Sequence, residues 1–169
     1  LDGDWHRRMY WAYGQVVGQY LVFRGDMGYA VRVFEANSRE GGFNSGEGYV
    51  VLAGRSAERQ ESGQTLYALP TDQTAWRMRV PLRPQAMALA GDHLLLAGPP
   101  DSPHPRDALA SLEGRQGGAL WSLSTADGRK TAEWKLDAPP VYDGLAIAGG
   151  RLYWSGTDGR IRCWAEGSE

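Results

Sequence analysis

The chain has 169 residues, of which 42% are hydrophobic, and its 18 basic and 20 acidic side chains give a formal net charge of −2. This composition suffices for a domain-sized core, while no apolar run reaches the roughly 18 residues that a membrane-spanning helix needs. The balanced charge and the lack of a basic tract also exclude the electrostatic footprint of a nucleic-acid-binding protein. We therefore expect no membrane span and no nucleic-acid partner.

Residues 1–18 form the most aromatic and least regular part of the chain. Tryptophan, tyrosine and arginine dominate interface hot spots, so this segment is a candidate binding surface for a protein or a glycan. The alternative is that its rings fill space between a loop and the rest of the fold. The histidine in it has no second ligand at metal-binding spacing, so no metal site is expected. The candidate residues are Trp5, His6, Tyr10 and Trp11.

Short strands follow from residue 19 onward. Two apolar runs on either side of a Gly25–Gly28 turn predict a β-hairpin. Further strands follow, and the pattern leaves open whether the third belongs with the hairpin. The predicted strands are Tyr20–Phe23, Tyr29–Phe34, Tyr49–Ala53, Leu66–Leu69 and Trp76–Val80.

The second half of the chain repeats itself. Met87–Gly98 aligns without gaps on Leu145–Gly156, and we call the step from position 87 to position 145 the repeat offset. Leu66–Leu69 likewise matches Leu120–Leu123, and each match is followed by a strand that carries a tryptophan, Trp76 or Trp134. The repeating unit is therefore four antiparallel strands long. We expect the two tryptophan rings to be buried between neighbouring units.

A segment between Gly98 and Gly118 interrupts this repeat. Prolines punctuate its start, and Asp107–Glu113 is predicted to form one short helical turn that ends at Gly114. Loops that differ between repeats gather on one face and carry binding, so we expect this segment to be exposed there. His104 and Arg106 are its candidate binding residues, although a histidine between two prolines is also typical of a solvated loop.

The last repeat is a three-stranded meander. Leu145–Ile147, Leu152–Trp154 and Ile161–Cys163 each place an apolar residue at every second position, which predicts one buried face. Cys163, the sole cysteine, is then expected to be a buried, inert thiol. A fourth, outer strand is missing from this repeat. We therefore expect residues 19–169 to be the C-terminal portion of a larger assembly of such units.

Few residues indicate catalysis. The serine-hydrolase motif Gly-x-Ser-x-Gly is absent from the sequence. Asp127 and Asp158 precede glycines and suit turns. Asp143, ahead of Gly144 at the entrance of a strand, is the one carboxylate of note, and both a turn role and a site role remain open for it.

The order of strands and turns resembles one blade of a PQQ-like (quinoprotein-type) β-propeller. Leu123–Lys130 followed by Trp134 is similar to the signature of that family, with two extra residues before the tryptophan. Asp4–Trp11 and Pro139–Ala146 resemble a subgroup of large secreted proteins of planctomycete-type bacteria. The resemblance implies an all-β partial β-propeller of about three four-stranded blades and a periplasmic or extracellular location.

Two functions remain open after this comparison. The first is a non-catalytic scaffold that binds a protein or a glycan, with the remaining blades or a partner chain completing the ring. The second is part of a catalytic propeller, quinone-dependent or sugar-active, whose active groups lie mostly on other blades. Quinone enzymes of this type often use a disulfide between adjacent cysteines and a set of axial ligands. The chain has one cysteine and no matching ligand set, so no cofactor is expected.

Overall fold

The computed structural model describes residues 11–14, 16–32, 49–56, 74–101, 106–107, 109–111 and 113–165. These residues contain thirteen β-strands and no helix, so the chain is all-β, as predicted. The strands form four antiparallel sheets of two to four strands. The chain divides into two compact units, residues 1–80 (unit 1) and residues 81–169 (unit 2). Among the described residues, no helix is long and apolar enough to cross a membrane.

Unit 1 contains a two-stranded hairpin, β1–β2, and a four-stranded sheet with the order β3-β4-β5-β6, which we call sheet 1. The predicted hairpin is confirmed, because β3 pairs with β4 from Tyr20 opposite Val31 to Arg24 opposite Met27. The third predicted strand joins the same sheet, between β4 and β6. The strands are β1 (Trp11–Tyr13), β2 (Val16–Gly18), β3 (Tyr20–Arg24), β4 (Met27–Arg32), β5 (Tyr49–Arg55) and β6 (Thr74–Val80).

The strand that carries Trp76, β6, pairs with β5 and places Ala53 opposite Trp76. The repeat predicts Leu66–Leu69 at that position, and these residues lie outside the described ones. The same row of residues continues to Tyr29 on β4, whose ring centroid lies 6.1 Å from that of Trp76.

The hairpin β1–β2 is held on sheet 1 by a small core. Val16 is fully buried against Ala30 and Leu52, with Leu21 beside them. Gly28 makes room for this contact, because a Cβ at that position would lie 3.1 Å from the Cβ of Val16. Burying an aliphatic side chain of this size stabilises a fold by about 1.5–3 kcal/mol. The contact therefore fixes the position of residues 11–18 on the sheet.

Unit 2 contains two consecutive meanders, sheet 2 (β7–β10) and sheet 3 (β11–β13). Met87 lies opposite Leu96 in sheet 2, and Leu145 lies opposite Trp154 in sheet 3. Both members of the pair are displaced by the repeat offset, which confirms the repeat within this unit. The strands are β7 (Ala86–Ala90), β8 (His93–Gly98), β9 (Gly118–Ser124), β10 (Lys130–Leu136), β11 (Pro140–Ala148), β12 (Arg151–Gly156) and β13 (Ile161–Ala165).

The two sheets of unit 2 share one core, in which Trp154 is the member from sheet 3. Leu145 and Leu152 pack against this core with part of their surface exposed. Trp164 joins them, with its ring centroid 6.1 Å from that of Trp154 in an edge-on arrangement. Aromatic pairs in this geometry add to the stability that burial provides. The members from sheet 2 are Leu95, Ala97, Leu120 and Leu136.

The predicted buried face of β13 is wrong by one residue. Ile161 is 77% exposed and Cys163 is exposed as well, whereas Arg162 lies opposite Trp154. The Arg162 guanidinium sits 4.6 Å from the centroid of the Trp154 ring and forms an ion pair with Asp158. These contacts set the phase of the strand, and a shift of one residue moves every side chain to the other face.

Trp134 is also more exposed than predicted. Its ring keeps 44% of its surface open to solvent, although its centroid lies 6.4 Å from that of Trp164 on sheet 3. The direction of the side chain, toward the neighbouring sheet, agrees with the prediction. Burial is incomplete because Trp134 lies on β10, which among the described residues pairs with β9 alone.

Residues 99–117, which we call the insertion, contain no helix in their described part, where turns replace the predicted helical segment. Its backbone hydrogen bonds do not keep the constant spacing of a helix. The Glu113 amide donates to the Leu109 carbonyl, whereas the Arg115 amide donates to the Ala110 carbonyl. The expected exposure is only partly correct. Asp101, Ala110 and Ser111 are buried, while Leu109 is exposed. Some of the described residues of the insertion are therefore packed in unit 2, while others are exposed to solvent.

Candidate functional site

The first strand of sheet 3 leaves its partner soon after it begins. Pro140 lies opposite Gly156 and Leu145 lies opposite Trp154, so four residues of β11 face the single residue Ser155. Three residues are therefore additional. Bulges of this kind bend a strand and re-aim its side chains, and they are common beside binding and active sites. We call residues 141–144 the bulge.

The bulge has a tight and strained backbone. Asp143 adopts a φ of +54°, which makes it the one non-glycine residue with positive φ in the described part of the chain. Gly144 is required beside it, because a Cβ there would lie 2.8 Å from the Val141 carbonyl oxygen and 3.0 Å from that of Ser155. Such a conformation costs about 1–3 kcal/mol and persists only where its surroundings hold it.

A backbone hydrogen bond between the two sheets holds Asp143 in place. Its amide donates to the carbonyl oxygen of Gln85 at 2.8 Å. Gln85 is the repeat equivalent of Asp143, since the two positions are separated by the repeat offset. The first strands of neighbouring sheets are therefore joined at matching positions.

The prolines that precede the first strands of sheets 2 and 3 accept similar backbone hydrogen bonds. The Asp101 amide donates to the Pro81 carbonyl oxygen at 3.0 Å, and the Thr157 amide donates to that of Pro139 at 2.9 Å. Pro81 and Pro139 are again separated by the repeat offset. Sheet 2, however, has three residues opposite two between its Leu82 bridge to Pro100 and the start of regular pairing. The large bulge is thus particular to sheet 3.

The bulge presents three consecutive side chains to solvent. Val141, Tyr142 and Asp143 are exposed, with 53% of the Tyr142 surface open. An exposed tyrosine between two exposed neighbours is suited to contact with a further molecule, since tyrosine is enriched in interface hot spots.

The insertion lies at the same end of unit 2. A Cβ on Gly114 would lie 3.1 Å from the Pro139 side chain, which immediately precedes β11. Arg115 forms ion pairs with Asp107 and with Glu113, the latter at 2.6 Å. The hydrogen bond from Arg115 lowers the pKa of Asp107, and the two carboxylates together raise the pKa of Arg115. The end of unit 2 therefore combines the bulge with a charged, internally paired loop.

The sequence-predicted site residues fall into three groups. Asp143 and Arg106 lie at this end of unit 2, and both are exposed. Trp11 is exposed in unit 1. Sequence reasoning missed Val141, Tyr142 and Gln85, although the repeat offset aligns Gln85 with Asp143. The four remaining candidates, which lie outside the described residues, are Trp5, His6, Tyr10 and His104.

The described residues contain no group of three histidine, cysteine, aspartate or glutamate side chains that could hold a metal ion. Comparison with protein-family models gives no match for this chain, and comparison with curated proteins gives none either. Evidence on function therefore comes from the geometry of the chain itself.

Proposed function

We propose that this chain forms consecutive blades of a β-propeller of the PQQ-like repeat type. The support is the repeat itself: sheets 2 and 3 are meanders whose equivalent residue pairs are separated by the repeat offset, and they share one core. Their first strands contact each other at matching positions through Asp143 and Gln85. Rotation of one such sheet onto the next is how propellers are built.

We further propose that it acts as a non-catalytic scaffold that binds a partner protein in the periplasm or outside the cell. The observation that carries this proposal is the bulge, in which a strained Asp143 backbone holds Tyr142 and Val141 in solvent. Strained backbone is retained where function requires it, and tyrosine is enriched in interface hot spots. Packing within sheet 3 gives no reason for the three additional residues.

The carboxyl groups favour this scaffold over an acid–base enzyme. General acids at neutral pH need a raised pKa. The carboxyl groups with a shifted pKa in the described part are all lowered, by hydrogen bonds from Arg115, Ser124, Lys130 and Arg162, respectively. They serve ion pairs and turns. The four groups are Asp107, Asp127, Glu133 and Asp158.

Site-specific photo-cross-linking tests the proposal. A photoreactive phenylalanine analogue at Tyr142 should capture one protein from the envelope fraction of the source cells, whereas the same analogue at exposed Lys135 should not. The captured protein is then purified, and its affinity for the whole chain is measured. Tyr142→Ala should weaken binding at least about tenfold, the scale of a hot-spot residue. An unchanged affinity removes the bulge from the interface.

A further inference from the structure

Unit 1 carries aromatic rings at the edge of the contact between the hairpin β1–β2 and sheet 1. Trp11 is 56% exposed and Phe23 is 59% exposed. Tyr13, two residues after Trp11 on β1, lies on the same face of that strand, because side chains alternate along a strand. We call these three residues the aromatic platform. Isolated exposed apolar side chains are ordinary, but adjacent exposed rings indicate a binding surface.

The platform is rigid before any ligand arrives. The rings of Tyr13 and Phe23 stack with their centroids 4.4 Å apart and their planes 13° apart. The Tyr13 hydroxyl donates to the Gly25 carbonyl oxygen at 2.6 Å, which fixes the ring against the β3–β4 turn. Val16, fully buried at the start of β2, fixes the hairpin that carries Trp11 and Tyr13. A ligand would therefore meet two rings, Tyr13 and Phe23, that are already held in place, which lowers the entropic cost of binding.

Charged groups lie next to the platform. Asp26 follows Gly25, which accepts the Tyr13 hydrogen bond, and forms an ion pair with Arg55 on β5. Both side chains are largely exposed. The turn is held from below, because the Ser56 amide donates to the Asp26 carbonyl oxygen at 2.7 Å. A paired carboxylate and guanidinium therefore lie on the turn that Tyr13 contacts.

We propose that the aromatic platform and the Asp26–Arg55 pair bind a saccharide. The face of an aromatic ring is electron-rich and attracts C–H groups, and an equatorially substituted pyranose presents a flat face of such groups. Its hydroxyls both donate and accept, which matches an acceptor-only carboxylate beside a donor-only guanidinium. A stable protein interface covers about 800 Å² on each partner, far more than three rings provide. This proposal is independent of the protein site at the bulge.

Titration of the whole chain with cellohexaose and with a hexamer of N-acetylglucosamine tests the proposal. Both are neutral, β-linked and flat. We expect at least one of them to bind with a dissociation constant of about 0.1–1 mM, a value ordinary for a single shallow site. Trp11→Ala and Phe23→Ala should each weaken binding about tenfold or more, because each removes a stacking surface. Asp26→Asn should weaken it by about threefold or more, the scale of one lost hydrogen bond.

Matched variants keep the test specific. Trp134→Ala removes an exposed ring from unit 2 and should leave the affinity unchanged. The affinity of Trp11→Ala is interpreted only if its circular dichroism spectrum and its melting temperature match those of the wild type. Tyr13→Phe, which keeps the stack, serves as a milder second variant. The proposal is overturned if neither hexamer binds at about 5 mM. It is also overturned if binding survives the double Trp11→Ala, Phe23→Ala change, or if the platform instead mediates self-association that Phe23→Ala abolishes.

Discussion

Sheets 2 and 3 are the two regions of the molecule that can be compared residue by residue. Their first two strands pair in the same register, separated by the repeat offset, and both contribute to one core. They differ in three places: the bulge at the start of β11, the connection between the second and third strands, and the fourth strand that only sheet 2 has among the described residues. The fourth strand and the insertion also bury side chains, among them Leu136 and Ala110. The bulge, whose side chains are exposed, is therefore the difference that packing explains least.

The largest difference in unfolding free energy is expected between the alanine variants of two tryptophans in unit 2. Trp154→Ala empties a buried position in the shared core and should lower the free energy of unfolding by about 3–5 kcal/mol. Trp134→Ala removes a ring that is almost half exposed, and it should cost at most about 2 kcal/mol. Urea unfolding of both variants measures this. Equal losses would mean that Trp134 is buried, as the sequence alone indicates.

The next effect concerns Gly144 and Ala86, which are separated by the repeat offset but tolerate different side chains. Gly144→Ala introduces a Cβ against two carbonyl oxygens and should destabilise the fold by about 1–3 kcal/mol. The equivalent residue in sheet 2 is Ala86, which is fully buried, and Ala86→Gly should cost about 0.5–1 kcal/mol. The same unfolding measurement compares them. A Gly144→Ala protein as stable as the wild type would contradict the tight bulge.

A smaller effect should appear in sheet 3 as the pH is lowered. The hydrogen bonds from Arg162 lower the pKa of Asp158 from 3.8 to about 2. A lowered pKa in the folded state means that the pair contributes stability above pH 3.8 and loses it as the pH falls toward 2. The difference in unfolding free energy between wild type and Asp158→Asn should therefore shrink over that interval. A difference that is constant with pH would show that the pair adds nothing.

The smallest effect should come from the third strands. Ser122 and Cys163 occupy equivalent positions in sheets 2 and 3. Ser122 lies opposite Leu95 and Cys163 lies opposite Tyr153, and these two partners are separated by the repeat offset. Ser122 is buried, and its hydroxyl lies 2.8 Å from that of Thr131 on β10, so Ser122→Ala should cost about 1 kcal/mol. Cys163→Ser should stay within about 0.5 kcal/mol, and a thiol reagent should modify Cys163 in the folded protein. A thiol that resists the reagent would mean that Cys163 lies on the buried face of β13, as alternation predicts.

Much of the fold could be predicted from the sequence, because period-2 alternation and glycine turns act locally. The hairpin after residue 18 and the meander after Pro140 both form where the pattern places them. Alternation gives the period of a strand but not its phase, which is why it assigns Cys163 to the wrong face. It also gives no pairing partner, so it does not identify β5 as the neighbour of the Trp76 strand.

The candidate site could be predicted only in part. Asp143 stands out because a carboxylate before glycine at a strand entrance is typical of a special turn. The size of the bulge could not be foreseen, since it depends on how β11 resumes pairing with Trp154. The sequence indicates the platform through Trp11 and Tyr13, which belong to its aromatic first segment. Phe23 has the pattern of an ordinary strand residue, and its stack with Tyr13 arises from the way the hairpin β1–β2 lies on sheet 1.

The unequal connections in unit 2 also bear on the order in which it folds. Residues 99–117 separate β8 from β9, whereas residues 157–160 separate β12 from β13. Closing the longer of these two chains costs about 1.4 kcal/mol more in conformational entropy, roughly a tenfold slower closure. Sheet 3 can therefore assemble from nearby contacts before sheet 2 is complete. Trp154, which is buried in the folded protein, is then still uncovered, and Leu95, Ala97 and Leu120 pack against it as sheet 2 forms.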